Sequence, residues 1–233
     1  MNTAHPTELP LPAAVLWDMD GTLVDSEHHW FHGMSALAAE HHVPWTETDS
    51  LACVGLALLD TADRMRAKGL DLPATEIVDL LVDYVASCLA EKIEWRDGAV
   101  EILSTLADAG VPCALVTMSY RKIAQQVVDA APASTLRVLV TGDDVTHGKP
   151  HPEPYLTAAA LLGVDPRECV AVEDSVTGIT SAEAAGTHGV VVRGLTPVPA
   201  GPGRSFVSDL TLLDLDGLRA VISGEVLDLR GPT

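Results

Sequence analysis

Paired cysteines, basic residues and long apolar runs are all scarce in this chain. Its four cysteines, Cys53, Cys88, Cys113 and Cys169, are scattered with no Cys-x-x-Cys pair, which fits reduced, mostly buried thiols and not a disulfide framework or a zinc site. Only 14 Lys and Arg stand against 33 Asp and Glu, a formal charge of −19 over 233 residues. Such a field repels nucleic-acid backbones and anionic lipid, so neither is an expected partner. It repels phosphorylated small molecules too, so any phosphate-handling site needs its own local cations, a metal and at least one well-placed lysine. No uncharged apolar run approaches the roughly 20 residues that span a membrane. No Lys or Arg precedes Arg64, and the first apolar run, 11–17, is broken by Pro12 and closed by Asp18. A secretory signal is therefore not expected, and the cytoplasm is the expected compartment. Internal repeats and low-complexity segments are also missing.

What remains is a composition able to fold, 47% hydrophobic against 20% charged, enough for one domain or for a main domain carrying a smaller insert. The residues up to Pro10 are polar with two prolines and read as a loose tail. Short apolar stretches at 13–17, 113–117, 138–141, 169–172 and 190–193 read as strands. Helical stretches near 100–109, 121–129, 154–162 and 178–185 separate the later ones. That alternation predicts a doubly wound parallel α/β sheet, Rossmann-like in character.

Between the first strand and the rest, residues 26–95 read as wholly helical. One helix carries Trp30, Met34, Leu37, Ala38 and His41 and is stopped by Pro44; a second covers 60–68 and stops at Gly69. A third begins at Thr75, with Ile77, Leu80, Leu81, Tyr84, Val85, Cys88, Leu89 and Ile93 on one apolar face. This segment is expected to be a smaller, all-helical cap domain (26–95) inserted into a discontinuous core (1–25 and 96–233), with hinges near Asp25 and Arg96. Residues 197–203 read as a surface loop, followed by Phe206-Val207 and a terminal helix over 212–222.

The chemistry-bearing residues fall at the ends of the strands. Asp18 and Asp20 follow the first one, immediately before the Gly21 turn. Strand alternation would point both side chains the same way, crowding two negative charges unless a cation or a proton separates them. Thr117 and Ser119 follow the second strand. Lys149 sits in Thr146-His147-Gly148-Lys149-Pro150-His151-Pro152 after the third, and Glu173-Asp174 closes the fourth. Carboxyl ends of strands are where open α/β sheets bind ligands. Each residue alone has a plainer explanation: a turn for Asp18 and Asp20, a local backbone bond for Thr117, a solvated charge for Lys149, a cap on a helix beginning near Thr177 for Glu173-Asp174. The constellation outweighs these.

Asp18-Met19-Asp20-Gly21-Thr22, Thr117, Lys149 in its Gly-Lys-Pro setting and Glu173-Asp174-Ser175 resemble the four ordered motifs of the haloacid dehalogenase superfamily. The resemblance runs from about Val15 to Val192. The helical insert resembles the cap of the subgroup that contains phosphoglycolate phosphatase and β-phosphoglucomutase. It implies that Asp18 attacks phosphorus and becomes an aspartyl phosphate. Asp20 would give a proton to the leaving oxygen and later take one from the attacking water. Mg²⁺ would be held by Asp18, the backbone carbonyl of Asp20 and Asp174, with Glu173 acting through water or as a further ligand. Thr117, the backbone N–H of Met118 and Lys149 would hold the phosphoryl group.

The sequence departs from the pattern at Met118, where many relatives carry Asn or Ser, and at Trp17, which replaces a commoner Phe and brings an N–H that needs a partner. A β-phosphoglucomutase-like mutase needs cationic cap groups, yet Gly55-Leu56-Ala57-Leu58 is apolar and Trp30 stands near the place of that family's cap histidine, with His28, His29 and His32 close by. The expected activity is hydrolysis of a small phosphorylated metabolite, ahead of a sugar phosphate mutase, a noncatalytic phosphate- or protein-binding regulator, and a dehalogenase, which the second acid, Asp20, disfavours. In Glu27-His28-His29-Trp30-Phe31-His32, the spacing of His28 and His32 would allow zinc, but an exposed or substrate-facing cap surface explains the run more simply. Glu27 is placed to order the entrance, and Trp30 and Phe31 serve either the core or the substrate.

Overall fold

In the computed structural model, residues 9–231 are described; most of the expected N-terminal tail lies outside them. Among the described residues, seven strands form one sheet in the order β3-β2-β1-β4-β5-β6-β7, every neighbouring pair parallel. They are β1 (Ala14–Trp17), β2 (Cys113–Val116), β3 (Leu136–Val140), β4 (Cys169–Glu173), β5 (His188–Val192), β6 (Ser205–Val207) and β7 (Asp228–Leu229). All four residues of β1 are buried, as expected of a central parallel strand covered on both faces. The strand order reverses beside β1, so the crevice at its carboxyl end is the topological switch point. The exposed edge strand β7 was not expected from its sequence, because two residues carry no periodicity.

Four helices lie between β1 and the remaining strands: α1 (Glu27–Glu40), α2 (Glu47–Leu51), α3 (Leu58–Ala67) and α4 (Ala74–Glu91). The fold is thus the expected doubly wound sheet with a helical cap inserted after the first strand. The two connections run side by side: Asp25 N–H donates to Glu94 O at 2.8 Å, Arg96 N–H donates to Leu23 O at 2.9 Å, and Val24 bridges Trp95. Helix α2 has no apolar stripe and was not expected; a reciprocal Thr46–Asp49 capping box starts it.

Helix α4 corrects the sequence reading of its buried face. The inward residues are Ile77, Val78, Leu81, Val82, Val85, Ala86 and Leu89, whereas Leu80 is 44% exposed. Apolar residues surround much of this helix. Its orientation is set by packing against α1, α3 and α6 (Arg121–Ala130) together, which no single stripe encodes. The helix α1 also ends earlier than Pro44 suggests: His41 is exposed and His42 turns the chain with φ 57°.

The core side is completed by α5 (Ala99–Asp108), α7 (Glu153–Leu162), α8 (Val176–Ala184) and α9 (Leu215–Ile222). The terminal helix expected over 212–222 is divided, a short 3₁₀ turn at Leu210–Leu212 preceding α9, since Asp209 and Asp214 each cap a new start. Cys53, Cys113 and Cys169 are buried free thiols and Cys88 is half-buried. Trp17 is fully buried and its indole N–H has no hydrogen-bond partner among the described residues.

Candidate active site

The pocket at the end of β1 is lined by Asp18, Asp20, Thr117, Met118, Ser119, Lys149, Asp174 and Ser175 from the sheet side, and from the cap side by Glu27, Trp30, Phe31 and Met34 with Ser50, Cys53, Val54, Gly55, Leu56, Leu58 and Thr61. Sequence-distant residues therefore meet because four strand tips end at the same level. Helix α7, packed across β1, β2 and β3, adds Tyr155 behind them.

Lys149 is the electrostatic centre. Its side chain is about 2% exposed, and its Nζ donates to Asp18 Oδ1 at 2.7 Å, Glu173 Oε1 at 2.6 Å and the Val116 carbonyl at 2.8 Å. Three donors meet three acceptors, so the ammonium is fully satisfied. Burial alone pulls such a group down; Asp18 and Glu173 outweigh it and leave Lys149 above its ordinary value. The hydroxyl of Tyr155 also donates to Glu173 Oε1. Burial first, and then the charges of Glu173 and Asp18, push that phenol well above its ordinary value, so it stays protonated. Tyr155 has no motif signal beyond lying just after the Pro150–Pro152 loop, and the sequence reading missed it.

Asp18, Glu173 and Asp174 bring carboxylate oxygens within 4.8 Å of one another, all buried. Burial, reinforced by Glu173 and opposed by Lys149, lifts Asp18 to about 7. Asp174 is pushed well above the carboxylate range by burial, then by Asp18 and Glu173. Its Oδ2 is buried without a hydrogen-bond partner among the described residues. Three carboxylates against one ammonium leave an excess of negative charge and an orphaned oxygen. A hard divalent cation fits that donor set, and the all-oxygen chemistry suits Mg²⁺. Gly21 leaves room for this arrangement, since a Cβ there, at φ +79°, would stand 2.3 Å from Asp174 Oδ2.

Asp20 faces different partners from Asp18. Its Oδ1 accepts from Ser26 Oγ at 2.5 Å and from the Trp30 indole at 2.9 Å; its Oδ2 accepts from Ser119 Oγ at 2.7 Å and from Thr117 Oγ1 at 3.2 Å. Strand alternation does not decide this, because β1 stops at Trp17. Ser26, an Asp20 partner, was not singled out by the sequence reading. Thr117 also accepts the N–H of Ser119 at 3.0 Å. The Met118 sulfur accepts the Lys149 backbone N–H at 3.0 Å, tying the Thr117 loop to the Lys149 loop.

Two neighbouring segments have partners that bear on the alternatives weighed for them. Glu173 and Asp174 do not cap α8; Ser175 does, accepting from Gly178 N–H at 3.0 Å, which frees both acids for the pocket. His28 and His32 do not share a metal site among the described residues: His32 pairs with the Tyr84 hydroxyl at 2.9 Å, and the His28 ring lies against that of His29, tilted by 47°. Glu27 is 6% exposed, with Oε1 unpartnered among the described residues, and burial followed by the charge of Asp20 raises it to about 7. Trp30 and Phe31 line the pocket and also pack against the core, serving both purposes.

A parallel sheet whose central strand delivers paired acids, capped by helices inserted directly after them, defines a class of hydrolase. Residues 12–186 match the haloacid dehalogenase-like hydrolases, and the chain belongs to that family. Hexitol phosphatase A of Escherichia coli K12 is 34% identical over 201 residues, covering 86% of this chain and 90% of the relative. Validoxylamine A 7'-phosphate phosphatase of Streptomyces hygroscopicus subsp. limoneus is 33% identical, covering 73% and 81%. Among solved structures, CbbY from Rhodobacter sphaeroides in complex with phosphate superposes with a TM-score of 0.77 at 26% identity, covering 89% of this chain and 99% of that one.

Proposed function

We propose that this protein is a Mg²⁺-dependent phosphatase that hydrolyses small, otherwise neutral, polyhydroxylated monophosphates through an aspartyl phosphate at Asp18. That the chain is a phosphoric monoester hydrolase accords with its named relatives, among them the hexitol phosphatases. The single observation that carries the substrate class is that Lys149 is the only cationic side chain among the described residues lining the pocket. That one positive charge, beside Asp18, suits a single phosphoryl group. A second phosphate or a carboxylate at the cap end would meet Glu27, Leu56, Leu58 and Phe31, and desolvation of an unpaired anion costs several kcal/mol. Hydroxyls of Ser50 and Thr61 and the Glu27 carboxylate suit a sugar alcohol instead.

In the first step the Asp18 carboxylate attacks phosphorus, the bond to the substrate oxygen breaks, and Asp20 delivers a proton to that oxygen. In the second, Asp20 takes a proton from water as the water attacks phosphorus, and Asp18 leaves as a carboxylate. Lys149 neutralises charge spread between Asp18 and the phosphoryl oxygens, while Glu173 and Tyr155 hold the ammonium in place. Thr117, Ser119 and the Met118 backbone N–H supply donors to the phosphoryl group. Mg²⁺, held by Asp18, the Asp20 carbonyl and Asp174 with Glu173 nearby, would screen charge on the phosphoryl group. The serine and threonine hydroxyls around Asp20 can reverse and accept its proton; the Trp30 indole can only donate. We take 26–95 as the cap, moving about the paired connections at Asp25 and Arg96 to exclude bulk water.

A phosphate-release panel tests this reading. Hexitol and hexose monophosphates should be turned over faster than phosphoglycolate or sugar bisphosphates, and release should vanish in Asp18→Asn. Preference for a bisphosphate, or isomerisation of β-glucose 1-phosphate without free phosphate, would replace it with the mutase reading.

A further inference from the structure

Outside the pocket, one cluster combines two imidazoles and a carboxylate on the loop that delivers Lys149. His147 Nδ1 lies 2.9 Å from Glu153 Oε2, His151 Nδ1 lies 3.9 Å from the same oxygen, and ligand atoms of all three residues fall within 4.8 Å of one another. Tetrahedral coordination with bonds near 2.1 Å needs ligand atoms about 3.4 Å apart, so the observed spacings lie on either side of the required value. We propose that His147, His151 and Glu153 form a binding site for a borderline divalent transition metal such as Zn²⁺, Ni²⁺ or Cu²⁺, separate from the carboxylate centre of the pocket.

The ligands are already oriented. Glu153 begins α7, and its two carboxylate oxygens accept the backbone N–H groups of Thr146 at 2.8 Å and His147 at 3.0 Å, which fix its position. The Thr146 N–H first, and then the His147 side chain, hold the carboxyl below its ordinary value. His151 Nδ1 accepts the Glu153 backbone N–H at 3.2 Å, which assigns its proton to Nε2 and holds the ring at the cluster; a metal ion at Nδ1 would take the lone pair that this bond now uses. The two imidazole rings stand 4.7 Å apart at 34°, close enough to serve one ion.

The donor set decides the metal. Two nitrogens and one carboxylate favour zinc, nickel or copper over Mg²⁺, which prefers oxygen. Side-chain exposures of 62% and 51% for His147 and His151 leave open faces where water completes the coordination. The helix start at Glu153 disfavours a cation there; its own carboxylate and the −19 charge of the chain work in the other direction.

Occupation would tie residues 147 and 151 together across Lys149. That loop is already tethered by the Ser181 hydroxyl donating to His151 O at 2.6 Å and by the Met118 contact to Lys149. Bound metal should therefore slow hydrogen exchange over 146–153 and raise the thermal midpoint.

The test uses the untagged full chain with Mg²⁺ in millimolar excess, titrated with Zn²⁺ by calorimetry and with Cu²⁺ by electron paramagnetic resonance. One equivalent should bind, with copper showing coupling to two imidazole nitrogens. His147→Ala and His151→Ala should each weaken binding at least about tenfold while leaving aryl phosphate hydrolysis and far-ultraviolet circular dichroism unchanged. His28→Ala/His32→Ala should bind like the wild type. Absence of stoichiometric uptake, or uptake that survives His147→Ala/His151→Ala, would overturn the site.

Discussion

The indole N–H of Trp30, on the first cap helix, donates to Asp20 Oδ1 at 2.9 Å, across the junction between the inserted helices and the strand that carries both acids. A cap residue thereby holds the proposed acid and base, and the cap's position bears on where Asp20 points. Because this donor cannot become an acceptor, it fixes one lone pair of Oδ1 permanently.

Trp30→Phe keeps most of the apolar volume and removes only that donor. A hydrogen bond to a charged group contributes about 1.5–3 kcal/mol, so kcat is expected to fall roughly tenfold to a hundredfold with little change in thermal stability. Steady-state hydrolysis of an aryl phosphate measures this. An unchanged kcat would mean that Asp20 is positioned by Ser26, Ser119 and Thr117 alone.

Lys149→Met should damage folding as well as turnover. It leaves Asp18 and Glu173 buried without the ammonium that contacts both, a loss of about 3–5 kcal/mol for a broken buried pair. The denaturation midpoint in urea reports it, and Lys149→Met/Glu173→Gln should recover part of the loss because one orphaned charge is gone.

Chelation should separate activity from fold. Dialysis against EDTA is expected to abolish phosphate release while the sheet remains intact by circular dichroism. Added Mg²⁺ should restore release and raise the thermal midpoint in a concentration-dependent way. In Asp174→Asn that rise should be much smaller, since the orphaned Oδ2 is the oxygen left for the ion. An equal rise in the variant would remove Asp174 from the proposed ligand set.

Glu27 gives a pH signature in the metal-free protein. Its folded value of about 7 lies above the ordinary 4.5, so the native state binds more protons than the unfolded chain between those values. Its contribution is complete below about 4.5 and declines as pH rises toward about 7, by at most roughly 3 kcal/mol. Thermal midpoints of the EDTA-treated protein should therefore fall across this window more steeply than those of Glu27→Gln. Parallel curves would show that Glu27 does not titrate there.

Much of the fold was legible because its signals are local. Buried runs such as Ala14–Trp17 and Cys169–Glu173 read as parallel strands from their branched apolar residues, and the acids at their ends stand out by type and spacing. Legibility failed where neighbours compete. Helix α4 is apolar on too many sides for its sequence to select Val78 over Leu80 for burial. Strand β7 is too short to have a period.

The sequence by itself determined which residues stand at the strand tips and in what order, since strand and turn propensities act over a few neighbouring residues. Only the tertiary structure decided their partners. Lys149 meets Asp18 across 131 positions and Glu173 across 24, Tyr155 closes on Glu173 from a helix behind the sheet, and Trp30 reaches Asp20 from the insert. Those contacts depend on how helices of ambiguous face settle against a twisted sheet, a choice made by the whole packed core and not by any segment of it.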